Sequence, residues 1–330
     1  MRDREVAVFA PAKLGTGRPY RSLKGLVAGL FPQVGGLVFV CAVGVAVRLV
    51  APHLRDKFCD PPVVVLDEAG RFAVSLTGSH HGANSLTEEI AAAVGACPVV
   101  TTASDVRGRP AVDLFAGRFN LGLEPREHLP AVARALVEGE RVALLWEEGL
   151  PLVEYGWPPE VDIFPWQPEA SFPQGFAAWI TVTEKLVKRL PPAPFVLLRP
   201  RRYVVGVGCR RGTAKAEILS ALMQVIQGAG LSLLSVRELA TAALKENEEG
   251  LKQAAAALGV PLRLFSTDAL RERRKGLRPG TVRESLFVRE KIGVGNVCEL
   301  AALTAGGEKV VVPKTVFPGV TVAVAAAPWP

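Results

Sequence analysis

A glycine-rich turn between a strand and a helix constrains this chain more than any other feature. Residues 203–213 read Tyr-Val-Val-Gly-Val-Gly-Cys-Arg-Arg-Gly-Thr, and a helical pattern follows from Lys215. Such a turn directs backbone N–H groups at an anion, and the adjacent Arg210 and Arg211 suit a carboxylate or a phosphate. The G-x-G-x-x-x-G spacing is one residue longer than the dinucleotide fingerprint, which argues against a nucleotide. The stretch indicates either an anion site or a tight turn with solvated arginines.

Strand patterns alternate with helical patterns in the first and last thirds of the chain. The first third predicts strands at 6–9, 36–41, 63–66, 72–76 and 98–102, and a helix at 85–95 capped by Asn84. The last third predicts strands at 203–208, 232–236, 262–265, 309–313 and 320–325, and helices at 214–228, 249–259 and 295–305. We therefore expect a multi-domain α/β protein. Its N- and C-terminal domains each have a mostly parallel sheet flanked by helices, and a smaller α/β domain lies between them.

Charge divides the chain into three parts. Residues 1–112 carry 12 Lys and Arg against 9 Asp and Glu, residues 113–197 carry 7 against 12, and residues 198–330 carry 20 against 11. The net charges are therefore +3, −5 and +9, and proline clusters accompany the changes of sign. We predict an N-terminal α/β domain at 1–112, a middle domain at 113–197 and a C-terminal α/β domain at 198–330. The basic last part predicts an anionic partner.

Composition argues against several classes of protein. The basic run at 271–275 has no interleaved aromatic residues, so nucleic acid is not expected as a partner. The longest apolar run, 35–50, has about 16 residues and contains Arg48, so no membrane span is expected. Five scattered cysteines and four histidines give no metal-ligand spacing. An odd cysteine count without a signal peptide predicts a cytoplasmic protein.

A second turn, rich in Gly, Ser, His and Asn, follows a predicted strand at residues 75–84. Ligand-binding and catalytic sites of α/β proteins usually lie at the carboxyl ends of the strands. His80 or His81 can act as a general base near neutral pH, and Ser79 can act as a nucleophile, with Asn84 nearby. The G-S-H-H-G run is not the G-x-S-x-G nucleophile elbow. The alternative is an ordinary turn followed by a helix cap.

Further polar residues cluster in the last third. They occupy 245–250 and 285–293, and a helix follows that Gly295 or Asn296 opens, with Glu299 in its first turn. The cluster indicates either part of a site or a helix cap with surface charges.

Motifs in order along the chain resemble the cobalt-precorrin-5A hydrolase family. In the first third they occupy 44–52, Lys57 with Asp60-Pro61, 64–67, 70–72, 75–84 and 100–105. In the last third they occupy 206–213, Lys245 with Glu248 and Gly250-Leu251, 261–266, 288–290 with 293–294, 297–302, and 313–314 followed by 320–324. One departure is Ser79-His80-His81-Gly82, where the family has Gly-His-x-Gly-Gly. His80 matches the family position, and His81 is the weaker candidate.

The resemblance implies hydrolysis of the ring-contracted lactone of cobalt-precorrin-5A in the anaerobic route to vitamin B12, giving cobalt-precorrin-5B and acetaldehyde. It implies a cobalt-corrinoid substrate, handover contacts with neighbouring pathway enzymes, and no cofactor, because the substrate carries the cobalt. The catalytic candidates are His80, His81, Ser79 and Asn84. The residues expected to hold the substrate are Gly206, Gly208, Cys209, Arg210, Arg211, Gly212, Thr213, Lys245, Glu248 and Arg48.

Two other functions stay open on the sequence. One is a corrinoid-binding carrier of the same pathway that performs no chemistry. The other is a nucleotide-dependent enzyme that uses the glycine turn. Acetaldehyde release distinguishes the hydrolase from the carrier, and binding of NAD or ATP identifies the nucleotide enzyme.

Overall fold

A computed structural model describes residues 5–56, 60–79, 82–102, 111–278, 282 and 296–329. The chain forms two compact units, Met1–Gly117 and Arg118–Pro330. The first unit contains a short parallel pair, β1 (Phe9–Ala10) and β2 (Arg18–Pro19). It also contains a four-stranded sheet in the order β3 (Leu37–Val40), β4 (Val63–Leu66), β5 (Phe72–Thr77) and β6 (Cys97–Val99). The outer pairings are parallel, and β4 pairs antiparallel with β5.

Helices cover both faces of this sheet. They are α1 (Leu23–Leu30), α2 (Val43–Val50) and α3 (Ala83–Val94), and α4 (Val112–Arg118) follows. Side chains alternate along β4, so Val63 and Val65 pack with α1 and α2 while Val64 packs with α3. The strand β4 is therefore buried between two helical layers.

The second unit begins with a five-stranded sheet. Its elements are β7 (Leu121–Glu124), α5 (Leu129–Glu138), β8 (Val142–Glu147), β9 (Val161–Trp166), β10 (Ala178–Val182) and β11 (Phe195–Pro200). The strand order is β7-β11-β10-β8-β9. The strands β8 to β11 are parallel, and β7 pairs antiparallel with β11.

A second five-stranded sheet completes this unit. Its strands are β12 (Tyr203–Cys209), β13 (Val236–Ala242), β14 (Leu262–Phe265), β15 (Lys309–Phe317) and β16 (Val320–Ala326), in the order β14-β13-β12-β16-β15. Its helices are α6 (Lys215–Gly228), α7 (Glu249–Leu258), α8 (Thr267–Lys275) and α9 (Val297–Thr304). The α6 and α7 helices pack on one face, and α8 and α9 pack on the other. The β15–β16 hairpin is antiparallel because its two-residue connection cannot cross over to a parallel strand.

An ion pair between a buried carboxylate and a half-exposed lysine holds the segment that contacts the second sheet of this unit. The Glu147 side chain is 4 % exposed, and its Oε1 lies 2.9 Å from Lys185 Nζ. The Arg199 guanidinium donates to the carbonyl of Lys185 at 2.6 Å. The next residue, Leu186, donates its N–H to the carbonyl of Gly230 at 2.7 Å, beside the second sheet. These bonds hold residues 185–186, in the connection between β10 and β11, against the second sheet.

The α/β fold class is confirmed, and the differences from prediction are local. The strand predicted at 232–236 is wrong, because a 3-10 turn, Leu233–Ser235, precedes β13. The strand predicted at 6–9 is reduced to β1, and α8 was not predicted. The predicted boundary near 198 falls inside β11, and the three-domain division stays a prediction.

Backbone contact between β12 and α9 determines how this core packs. A Cβ atom on Gly206 would overlap the carbonyl oxygen of Cys298, in the first turn of α9. The helix therefore lies directly on the central strand, with no side chain between the two backbones.

We expect Gly206→Ala to lower the free energy of unfolding by about 1–3 kcal/mol, because the added methyl group must displace a backbone carbonyl. The control is Gly228→Ala at the last position of α6, where a Cβ atom meets nothing within 4 Å. That change should be neutral or stabilise by about 0.4–1 kcal/mol. Urea unfolding of both variants is the measurement, and equal stabilities would contradict the packing argument.

Candidate functional site

The arginine turn, residues 209–213, connects β12 to α6. Cys209 ends the strand and is half-buried, while Arg210 and Arg211 are exposed. The Arg210 N–H donates to the carbonyl of Gly319 at 2.8 Å. The Thr213 hydroxyl donates to the carbonyl of Arg210, also at 2.8 Å. The turn is thus closed by its own hydrogen bonds and anchored to the β15–β16 connection.

The anion that occupies the arginine turn is a carboxylate of the protein itself. Glu248 Oε2 accepts the N–H of Gly212 at 2.8 Å, and Glu248 Oε1 accepts from Lys245 Nζ at 3.2 Å. The Gly212 N–H, with Lys245 and Arg211, holds the pKa of Glu248 below its usual range. Lys245 and Glu248 therefore lie beside the turn, and substrate binding by Arg210, Arg211, Thr213, Lys245 and Glu248 stays a prediction.

The predicted glycines have close packing roles. A Cβ atom on Gly208 would lie 2.5 Å from Thr321 Oγ1, and one on Gly250 would overlap the carbonyl oxygen of Thr213. Gly212 has a φ of +75°, which favours glycine. The part of Gly206, Gly208 and Gly212 in substrate binding stays a prediction.

A pocket of about 660 Å³ lies between the arginine turn and the start of α7. Three cationic residues line it, and so do two acidic ones: Arg211, Lys215, Lys245, Glu248 and Glu249. From the sequence, Lys215 was named only as the start of the helix and was given no binding role, although a lysine directly after the turn was a visible signal. Leu244, which is 66 % exposed, adds apolar surface to the same wall.

Cys209 and Cys298 lie near this turn as thiols. Burial raises the pKa of the Cys209 thiol, and Lys245 lowers it by a smaller amount. Burial raises the pKa of Cys298 to about 11, and its Sγ donates to Asn296 Oδ1 at 3.2 Å. Raised pKa values disfavour the thiolate form of both cysteines. Substrate binding by Cys209 stays a prediction.

The histidine turn follows β5 in the first unit. Ser79 is half-buried, and its carbonyl accepts the N–H of Gly82 at 3.1 Å. The Ala83 N–H donates to the carbonyl of Gly78 at 3.1 Å. His80 and His81 lie outside the described residues. Catalytic roles for Ser79, His80 and His81 stay predictions.

Asn84 is not a helix cap, and that prediction is wrong. The helix begins at Ala83 with Gly82 before it, so Asn84 lies inside the first turn of α3. Its side chain is 5 % exposed, accepts from Ser75 Oγ at 2.7 Å and donates to Thr102 Oγ1 at 3.1 Å. These partners lie on β5 and after β6, so the amide links the helix to the sheet. Its catalytic role stays a prediction.

Arg48 lies in the last turn of α2, in the first unit, whereas the arginine turn belongs to the second. Its side chain is exposed and donates from Nη1 to the carbonyl of Gly44 at 2.9 Å, within its own helix. Substrate binding by Arg48 stays a prediction.

The described residues contain neither a candidate metal cluster nor a candidate membrane span. Among these residues, no three His, Cys, Asp or Glu side chains come together as a metal site would require. None of the described helices is long and apolar enough to cross a membrane.

Family models match the chain in three successive segments. They are described as Cobalamin synthesis G N-terminal at residues 25–105, Cobalamin biosynthesis central region at 110–200, and Cobalamin synthesis G C-terminus at 203–325. The last match contains the arginine turn and its pocket, and the first contains the histidine turn.

Curated relatives cover most of the chain. A protein of Salmonella typhimurium named cobalt-precorrin-5A hydrolase is 37 % identical over 276 residues, which are 82 % of this chain and 76 % of the relative. A protein of Priestia megaterium with the same name is 34 % identical over 267 residues, which are 76 % and 68 %. A crystal structure of a cobalamin biosynthesis protein G homologue from Sulfolobus solfataricus is 20 % identical, with a TM-score of 0.38, and covers 92 % of this chain and 85 % of that chain.

We expect Glu248→Gln to lower the free energy of unfolding by about 1 kcal/mol at neutral pH, because the amide accepts more weakly from Gly212 and Lys245. The pKa of Glu248 is depressed in the folded state, so its contribution is present above the unfolded-state pKa. It is lost as pH falls through the folded-state value. The difference from wild type should therefore shrink at acid pH.

The control for this prediction is Glu249→Gln, one residue along on the exposed start of α7. Its carboxylate accepts from Gln253 within the same helix at 3.1 Å. Denaturant unfolding of both variants across pH is the measurement. A Glu248→Gln variant as stable as Glu249→Gln at pH 7 would contradict a role for this carboxylate in the turn.

Proposed function

Because this chain belongs to the cobalt-precorrin-5A hydrolase family, we propose that it opens the ring-contracted lactone of cobalt-precorrin-5A. The products are cobalt-precorrin-5B and acetaldehyde. The observation that carries the proposal is 37 % and 34 % identity, over most of the chain, to two proteins named for this hydrolysis. A carrier without chemistry is not favoured, because both relatives are named hydrolases.

The reaction requires a base that activates water, donors that stabilise the oxyanion, and a group that takes the proton of the freed hydroxyl. Water adds to the lactone carbonyl, so a base must take its proton and donors must stabilise the oxyanion that forms. The lactone then opens to a carboxylate and a hydroxyl group. Loss of the hydroxyl proton breaks the carbon–carbon bond to the macrocycle, and acetaldehyde leaves. The macrocycle accepts the electron pair and then a proton.

The pocket at the arginine turn suits the carboxylate edge of the substrate. Arg211, Lys215 and Lys245 supply positive charge on one wall, and Leu244 supplies exposed apolar surface. A corrinoid is an apolar macrocycle edged with acetate and propionate groups. The cations bind its carboxylates, and the apolar surface contacts the ring. A net charge of +9 on residues 198–330 draws such a polyanion towards this part of the chain.

A substrate carboxylate can replace the Glu248 carboxylate as the partner of Lys245. In the absence of substrate the Glu248 carboxylate accepts the Gly212 N–H and pairs with Lys245. An incoming substrate carboxylate presents the same charge and the same acceptor atoms. It therefore competes for Lys245, while the Gly212 N–H keeps the turn in shape.

The base belongs to the histidine turn, with His80 as the first candidate. Imidazole exchanges a proton near neutral pH, as the activation of water requires. The residues on either side of it are held by the Gly82-to-Ser79 and Ala83-to-Gly78 bonds. These bonds on either side of His80 support the positioning that proton transfer needs.

Further parts of the proposal concern the setting of the reaction. The cobalt ion enters and leaves with the substrate, so the protein needs no cofactor for this hydrolysis. A labile corrinoid favours handover contacts with the enzymes before and after it in the pathway. Cys41, Cys97, Cys209 and Cys298 are free thiols, which supports a cytoplasmic location.

Incubation with cobalt-precorrin-5A should release acetaldehyde, which a hydrazine reagent traps. His80→Ala should reduce the turnover rate by about 10²–10⁴-fold, because the reaction loses its general base. His81→Ala, the adjacent control, should reduce it less. A folded His80→Ala variant with full activity would rule out His80 as the base, and a wild-type protein that releases no acetaldehyde would rule out the proposed reaction.

Arg211→Ala should weaken corrinoid binding about tenfold at low salt, because a charge-assisted hydrogen bond to a carboxylate is lost. The difference in affinity between the variant and the wild type should decrease as salt rises, because salt screens the attraction between the charges. The charge-matched control is Arg271→Ala on α8, where the guanidinium pairs with Asp268 at 2.9 Å. Spectroscopic titration at two ionic strengths gives both affinities, and equal affinities for the two variants would contradict binding at the turn.

A further inference from the structure

A second pocket, of about 440 Å³, lies in the first unit, at the sheet edge where β3 and β4 begin. Three polar side chains, His53, Arg55 and Asp60, line it together with apolar residues that include Phe31, Pro61 and Pro62. A volume in this range holds a small ligand or one edge of a larger one. The sequence analysis assigned no role to His53 or Arg55.

The histidine turn borders this pocket directly. Gly78 follows β5 with a φ of +78°, and a Cβ atom on it would lie 2.7 Å from the carbonyl oxygen of Pro61 and 2.7 Å from Cα of Pro62. Both prolines line the pocket. The turn that carries Ser79 therefore lies against the pocket wall.

His53 presents an unused nitrogen at this pocket. Its ring packs against Phe31 with 5.8 Å between the centroids, and its Nε2 is buried without a hydrogen-bond partner among the described residues. A buried polar atom without a partner costs free energy, which a ligand that bonds to it recovers. Since the ring also lines the cavity, a ligand in the pocket is a candidate partner for this nitrogen.

Asp60 and Arg55 supply the charges of the pocket. The Asp60 carboxylate is buried, at 7 % exposure, and accepts the N–H of Arg55 at 3.1 and 3.0 Å. A carboxylate accepts about four hydrogen bonds, and Arg55 is the one donor to it among the described residues, so it can also accept from a ligand hydroxyl. The Arg55 side chain suits a ligand carboxylate. A hydroxyl and a carboxylate are the two groups that opening a lactone creates.

We propose that this pocket holds the lactone edge of the corrinoid and that His53 is the catalytic residue that removes the proton of the freed hydroxyl. This inference rests on the proposed function. The hydroxyl proton moves to Nε2 of His53, the carbonyl bond of acetaldehyde forms, and the carbon–carbon bond to the macrocycle breaks. The electron pair stays on the macrocycle carbon, which then takes up a proton, and His53 returns its proton to solvent.

The test separates the two steps in a single turnover of the full-length chain with cobalt-precorrin-5A. His53→Gln keeps an amide near the position of Nε2 but cannot transfer a proton. It should consume the lactone within about tenfold of the wild-type rate, and release acetaldehyde about 10²–10⁴-fold more slowly. A corrinoid with water added and the two-carbon unit retained should then accumulate, visible by mass spectrometry.

A control and a rescue keep the test sharp. His128→Gln is the matched control, because His128 also has a buried unpartnered nitrogen and packs on an aromatic ring, Phe195, but in the other unit. It should release acetaldehyde at close to the wild-type rate. In His53→Ala, added imidazole should restore release, which a purely structural role for the ring would not allow.

The outcomes are distinguishable. Acetaldehyde release by His53→Gln at the wild-type rate overturns this inference alone. Equal loss of lactone opening and acetaldehyde release in a folded His53→Gln variant overturns the assignment of His53 to the second step. A wild-type protein that releases no acetaldehyde overturns the proposed function itself.

Discussion

Direct contact between backbones, without side chains between them, holds the arginine turn in place. Gly206 lies against the carbonyl of Cys298, and Gly250 lies against the carbonyl of Thr213. The first contact places α9 on the central strand, and the second places the start of α7 on the turn. Because α7 follows Lys245 and Glu248 in the chain, the second contact also brings these two residues to the turn. The pocket of this unit depends on that placement.

The electrostatics of the turn follow from the same placement. A turn between a strand and a helix directs backbone N–H groups outward. These groups need a hydrogen-bond acceptor, which is either an anion or water. Glu248 fills this role at Gly212. Its charge is in turn balanced by Lys245. Arg211 and Lys215 then remain on the pocket wall as the cations that we propose bind a substrate carboxylate.

Local pattern predicted the elements, and contacts distant in sequence determined what the site residues do. The strand and helix around residues 203–228 were predictable because their periodicities are local. The partner of Gly212 was not, because Glu248 lies 36 residues further along the chain. Asn84 has the composition of a helix cap, yet it bonds to Ser75 and Thr102 instead, since both hydroxyls reach it in the folded sheet. Pairing of distant strands brings such partners together, and local sequence carries no signal for it.

The proposed function assigns carboxylate binding to the second unit and proton transfer to the first. The proposed reaction begins with one event, the attack of water on a lactone carbonyl. Turnover of cobalt-precorrin-5A in water labelled with oxygen-18 tests that event most directly. If water attacks the lactone carbonyl, the corrinoid product carries one labelled oxygen in a carboxyl group. An unlabelled corrinoid product formed together with acetaldehyde would contradict hydrolysis at the lactone carbonyl.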